Sequence, residues 1–264
     1  MTDFLSRLKA SIDRAGSPLC LGLDPDPAKI PAKFGGGIVG AQKFLEEIII
    51  ATWQKVAAFK PNTAFFEAYG SGGWLMLERL RFDCPPDVVW LVDAKRGDIE
   101  HTNEFYAKAI FDVLGADAVT VQPYLGMAAL EPFWRHKDKG VFVLCATSNA
   151  SASLIQQLDT GERLLYQEVA HQVKAANLNG NMGLVVGTTK PEALESVLSI
   201  APELPLLMPG SGAQGGSMDV LKKVQAANGT ALINVSRSVL YASNGNDCID
   251  AAVTEVEKLR KSMA

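Results

Sequence analysis

Eight short apolar runs recur along the chain, each separated from the next by a stretch with helical periodicity, and this alternation constrains the fold more than any single motif. The runs cover 19–23, 56–60, 88–93, 118–121, 141–145, 183–186, 204–208 and 231–235. Most are apolar throughout, as strands covered on both faces must be. Between them, Leu194, Val197, Leu198 and Ala201 line one side of a helix opened by Thr189-Lys-Pro-Glu192. Leu164, Leu165, Val169 and Val173 make a second stripe after Asp159 and Thr160. Eight such βα units predict one closed parallel sheet, an α/β protein of the TIM (β/α)8 barrel type. An open doubly wound sheet would carry a glycine fingerprint after its first strand, where this chain has Asp24-Pro-Asp-Pro27. No linker, biased segment or repeat divides the sequence, so residues 1–264 read as a single domain.

The remaining composition narrows the function classes. A net charge of -4 offers no basic field for nucleic acid, although a small anion can still be held locally. Cys20, Cys84, Cys145 and Cys248 are scattered without a C-x-x-C pattern, which predicts unpaired thiols and a reducing, cytoplasmic setting. The first residues lack a secretory apolar stretch, and Ile48-Ile-Ile50 is too short a run to cross a bilayer, so no membrane stage is expected. His101, His136 and His171 read as structural or solvated side chains, and no metal site is expected. The four tryptophans read as packing residues, and Phe34-Gly-Gly-Gly37 as a loose connection.

In a (β/α)8 barrel the working face is at the carboxyl ends of the strands, so unusual polar residues should gather there. They do: the first run ends at Asp24, the second at Lys60-Pro61-Asn62 and the third at Asp93 and Lys95. The fifth leads to Thr147-Ser148-Asn149 and the eighth to Asn234-Val-Ser236-Arg237. After the seventh comes Pro209-Gly-Ser-Gly-Ala-Gln214-Gly215-Gly216, whose glycines let backbone N–H groups approach an anion. With Arg237 after the eighth strand, this loop occupies the usual phosphate position of the architecture.

The most telling segment is Asp93-Ala-Lys95-Arg-Gly97-Asp98, which follows the buried run Val88-Val-Trp-Leu-Val92. Side chains two apart on a strand share a face, so Asp93 and Lys95 point the same way, and Gly97 lets the chain turn before Asp98. Charges near a dry core persist only when paired or when function demands them. Lys60 projects toward the same mouth, and Asp93 is its expected partner. Two acids and two bases would then alternate there.

Taken together, these segments resemble the orotidine 5'-phosphate decarboxylase family, in its bacterial branch of longer chains, from about Pro18 to Ala242. The marks are Leu21-Gly-Leu-Asp24, Phe59-Lys60-Pro61-Asn62, Asp93 to Asp98 with Ile99 and Thr102, Thr147-Ser-Asn149, the loop from Pro209, and Ser236-Arg237-Ser238. Ser236 departs from the pattern, which often has glycine before the arginine. The resemblance implies a cofactor-free enzyme that converts orotidine 5'-phosphate to UMP and carbon dioxide. It implies that Asp24 and Lys60 hold the ribose, Asp93 crowds the substrate carboxylate, and Lys95 protonates C6. Ser148 would bind the pyrimidine, Gln214 and Arg237 the phosphate, with Asn62, Pro209, Gly215 and Ser236 lining the substrate site. Asp98, Ile99 and Thr102 would enter the site of a neighbouring subunit in a homodimer.

Three other readings share some of these residues. A magnesium-dependent sugar-phosphate decarboxylase of the same suprafamily wants an acid where Lys60 stands. A Schiff-base aldolase wants a neutral amine, whereas lysines flanked by carboxylates are held charged. A catalytically silent phosphate-binding barrel would need Arg237 and the glycines but not the alternating Asp-Lys-Asp array.

Overall fold

On four strands of the sheet the inward-facing positions run from apolar below to polar at the upper rim. The computed structural model describes residues 3–188, 191–210, 216–227 and 229–263. Its eight strands are β1 (Leu19–Leu23), β2 (Ala58–Pro61), β3 (Val89–Arg96), β4 (Ala118–Val121), β5 (Gly140–Ala146), β6 (Met182–Val186), β7 (Leu206–Pro209) and β8 (Ala231–Val235). They close in sequence order into one parallel barrel, with β1 pairing β8. The principal helices are α1 (Phe4–Ala15), α2 (Gly37–Thr52), α3 (Thr63–Glu67), α4 (Ser71–Asp83) and α5 (Glu100–Ala107), followed by α6 (Glu131–Trp134) and α7 (Ser153–Gln156). The chain ends with α8 (Leu165–Ala176), α9 (Pro191–Ile200), α10 (Gly216–Ala226), α11 (Arg237–Leu240) and α12 (Cys248–Met263).

The barrel is filled by Cys20, Ala58, Leu91, Ala118, Phe142, Val185, Leu207 and Leu232, a cluster separate from the larger one between sheet and helices. Two residues further along β2, β3, β4 and β8, on the same face, stand Lys60, Asp93, Thr120 and Asn234. Register levels them, with Gly22 beside Lys60 and Pro209 beside Asn234. The opposite end is plugged by α1, whose Phe4 and Leu8 are buried in the inner cluster. Phe4 meets Phe142 edge to face at 6.0 Å, and a β-carbon on Gly140 would lie 2.3 Å from the Phe4 ring, so only glycine fits beside it.

Several boundaries differ from the sequence reading. β2 and β7 each start two residues later than expected, because buried connections at their starts are as apolar as the ladder itself. β3 runs on to Arg96, because pairing with β4 resumes at Arg96 after a bulge that accommodates the charged segment. α8 begins only at Leu165, since Asp159 and Thr160 belong to a turn closed by Thr160 N–H donating to the Arg163 carbonyl at 2.9 Å. Its buried stripe is therefore Tyr166, Ala170 and Val173. The Phe34–Gly37 segment is no loose connection: Gly37 opens α2, and a β-carbon on Gly40 would lie 2.3 Å from the Gly35 carbonyl oxygen. Thr189 and Lys190 lie outside the described residues, as do Gln214 and Gly215. No helix among the described residues is long and apolar enough to cross a membrane.

Candidate active site

Lys60 emerges from the top of β2 almost wholly buried and meets the Asp93 carboxylate, Nζ to Oδ2, at 3.0 Å. Lys95 reaches the other oxygen, Oδ1, at 2.6 Å, with its side chain about half exposed to the open mouth. One carboxylate thus sits between two ammonium groups, one anchored in the barrel and one facing the space where a ligand enters. Asn62 caps α3 through its Oδ1 and turns its Nδ2 toward Asp93 Oδ2 at 3.4 Å.

Electrostatics follow from this placement. Burial alone would raise the Asp93 pKa, but Lys60 and then Lys95 outweigh it and pull the group down to about 2. For Lys60, burial works against the charge, and the neighbouring Asp93 and Asp24 carboxylates reverse it, so its pKa ends above the ordinary lysine value. Both groups remain ionised across the neutral range. Cys20, packed beneath them, is pushed up to about 12 by burial and stays a neutral thiol.

Beside this array opens a cleft of about 480 Å³, lined by Asp24, Gly210, Asn234, Ser236, Arg237 and Ser238. Asp24 Oδ2 accepts a hydrogen bond from Ser236 Oγ at 2.7 Å, while its Oδ1 is buried with no partner among the described residues. A buried carboxylate oxygen left open beside a cleft is suited to accept a ligand hydroxyl. Ser236 is accommodated because Gly22 faces it: a β-carbon at Gly22 would lie 2.7 Å from that of Ser236. Tyr241, invisible to the sequence reading, steadies the same loop by donating to the Asp24 carbonyl at 2.8 Å and accepting from Asp26 N–H at 2.8 Å. Ser148 Oγ lies 3.9 Å from where a Gly210 β-carbon would be, just past Pro209 at the end of β7.

The expected residues therefore fall into two groups. Asp24, Lys60, Asn62, Asp93, Lys95, Pro209, Ser236 and Arg237 share one rim of the barrel, with Ser148 beside Gly210. Asp98 does not join the array within its own chain. Its carboxylate accepts the Ile99 N–H at 2.7 Å, and the turn is clamped by buried Asn103, which accepts from Asp98 N–H at 3.1 Å and donates to the Asp98 and Ala129 carbonyls, each at 2.7 Å. Ile99 is exposed and Thr102 half-buried on α5. The expected four-charge array is three charges in one chain, because the ladder ends at Arg96 and the Asn103 clamp holds Asp98 in the connection to α5. Gly97 is required there, since a β-carbon would lie 2.7 Å from the Gln122 backbone carbonyl oxygen. Thr120 was missed as well, although counting by two from inward Ala118 would have put it in the mouth.

Fold and mouth together define the class, a (β/α)8-barrel enzyme that works at the carboxyl ends of its strands. The model of the orotidine 5'-phosphate decarboxylase / HUMPS family matches residues 17–251. An orotidine 5'-phosphate decarboxylase of Roseiflexus sp. (strain RS-1) is 46% identical over 265 residues, covering 98% of this chain and 97% of its own. The solved Leishmania donovani OMP decarboxylase is 37% identical with a TM-score of 0.82, over 98% of this chain and 99% of that one. The Leishmania donovani UMP synthase superposes with a TM-score of 0.83 at 39% identity, over 98% of this chain and 57% of the larger one. The chain belongs to the orotidine 5'-phosphate decarboxylase / HUMPS family.

Proposed function

We propose that this mouth binds orotidine 5'-phosphate with its carboxylate facing Asp93 and its C6 facing Lys95. The activity is that of a carboxy-lyase, orotidine 5'-phosphate decarboxylation in UMP synthesis; the proposal concerns how the side chains divide the work. The observation that carries it is the single Asp93 carboxylate held between Lys60 and Lys95.

Breaking the bond from C6 to the carboxylate releases carbon dioxide and leaves an electron pair in the ring plane, where no carbonyl can delocalise it. A fixed ammonium beside that carbon stabilises the charge as it forms. Lys95 then gives its proton to C6 and recovers one from water. Asp93, ionised throughout, repels the substrate carboxylate and loses that repulsion when carbon dioxide leaves. Asp24, with its open Oδ1, and Lys60 hold the ribose hydroxyls. Arg237 and the backbone after β7 hold the phosphate, with Gln214 and Gly215 assigned there by resemblance. The magnesium-dependent relatives want an acid after the second strand, where this chain has Lys60 paired to Asp93.

The partner is a second copy. Asp98 has no ion pair among the described residues, and Ile99 beside it, Phe105 on the helix that follows, and Tyr124 and Leu125 after β4 are exposed apolar side chains. In the homodimer Asp98, Ile99 and Thr102 of one subunit complete the other's mouth. A cytoplasmic setting is proposed on the four buried, unpaired cysteines.

Chelator-treated protein incubated with orotidine 5'-phosphate should yield UMP; no UMP from folded protein would end this reading. Arg237→Ala should lower kcat/KM for the phosphorylated substrate roughly 100-fold while leaving the bare nucleoside nearly unaffected. Mixing Asp98→Asn with Lys60→Ala protein should restore activity by forming one intact site per heterodimer. Proven subunit exchange without recovery would count against the shared site.

A further inference from the structure

Along β3 and β4 the ladder pairs Val92 with Val119 and then Arg96 with Val121, so Asp93, Ala94 and Lys95 bulge out against the single residue Thr120. Inside the bulge Lys95 has φ +47°, the left-handed region that residues other than glycine rarely enter. A bulge also leaves a backbone amide without its ladder partner. Thr120, only 1% exposed, takes that amide: Lys95 N–H donates to its Oγ1 at 3.0 Å. The same hydroxyl donates to Asp93 Oδ1 at 2.8 Å, the oxygen that Lys95 Nζ contacts at 2.6 Å. One hydroxyl therefore closes a loop from the Lys95 backbone, through Asp93, to the Lys95 ammonium.

The charge array does not need this hydroxyl to stay ionised, since Asp93 already has two ammonium partners. What the hydroxyl fixes is location. Without it, the bulged segment has no side-chain tie to β4, and the Lys95 stem is free to settle in a relaxed backbone conformation with its ammonium displaced. Small displacements of a proton donor are expensive in rate.

We infer that Thr120 is a positioning residue for decarboxylation, holding the strained Lys95 backbone and the Asp93 carboxylate in one register so that the Lys95 ammonium meets the reacting carbon. The inference rests on the decarboxylase reading above. Thr120 touches no substrate atom in this scheme and acts only through Asp93 and Lys95.

Wild-type turnover of orotidine 5'-phosphate is measured first, and its absence would overturn the decarboxylase reading and this inference with it. With the wild type active, Thr120→Val keeps the β-branched shape and loses the hydroxyl. It should lower kcat roughly 10- to 100-fold with KM within about threefold, because ribose and phosphate contacts are untouched. Thr120→Ser retains the hydroxyl and should stay within about fivefold of wild-type kcat. A valine variant with wild-type kcat, or valine and serine variants impaired alike, overturns the inference. So does a lowered melting temperature with kcat unchanged per folded molecule, the mark of a purely structural role. Should the valine variant fail to fold, Thr120→Ala replaces it in the same comparison with serine, and equal kcat in the two overturns the inference.

Discussion

The two ends of this barrel each hold an aspartate between two basic side chains, yet the ends are built for opposite purposes. At the floor, Asp117 is 3% exposed, paired with Arg7 and, at 3.7 Å, with Arg81. Its Oδ2 also accepts the Trp90 N–H at 2.8 Å, tying the start of β4 to β3. At the mouth, Asp93 has lysines for partners, one of them half exposed. The backbone around it is bulged and strained, and nearby Asp24 keeps an oxygen with no partner among the described residues. Guanidinium groups stay charged and fork onto carboxylates, which suits a lock. Ammonium groups can surrender a proton, which suits a site. Strain and an open acceptor persist only where the surroundings enforce them, and here they gather at the end where the chemistry is proposed.

Substitutions at the two ends should break in different currencies. The largest effect is expected for Lys95→Ala, which should lower decarboxylation roughly 10⁴-fold or more while thermal unfolding stays close to wild type. Near-normal turnover would remove Lys95 from its role and erase the contrast. Asp117→Ala should do the reverse, costing about 3 kcal/mol in urea unfolding because two arginines and the Trp90 amide lose their acceptor. Its kcat per folded molecule should stay near that of the wild type.

A third test uses pH. Asp93 sits at about 2 in the fold against an ordinary 3.8, so the folded state binds its proton less readily than the unfolded chain. Its contribution is fully present above the unfolded value and fades as pH falls toward about 2, amounting to about 2 kcal/mol. The gap in urea stability between wild type and Asp93→Asn should therefore narrow in acid below about pH 4; a gap independent of pH would separate Asp93 from its lysines. The smallest effect belongs to Ser236→Ala, which frees Asp24 Oδ2 and should raise KM by about threefold to tenfold with little change in kcat. A loss confined to kcat would mean that Ser236 acts on the chemistry instead of the ribose side.

Much of the mouth was legible in the linear chain because barrel strands are short, parallel and buried. In such a sheet a polar residue at the end of an apolar run has one place to go, which is why Asp24, Lys60, Asp93 and Arg237 could be assigned to one rim from their positions alone. The boundaries of β2 and β7 were not legible, because burial continues past the hydrogen-bonded ladder and hydrophobicity reports burial. Nor was α1, whose Phe4 plugs the floor only because Gly140 leaves room for it.

Sequence alone thus determined the closed α/β architecture and the chemical identity of the charged rim, since both rest on periodicities of two and 3.6 residues and on the scarcity of charge in dry runs. Tertiary structure decided what those charges do to one another. The β3 bulge, the +47° backbone of Lys95 and the Thr120 hydroxyl beneath it arise from contacts between β3 and its neighbours. Such contacts join residues some 25 positions apart in the chain, and local pattern carries no record of them.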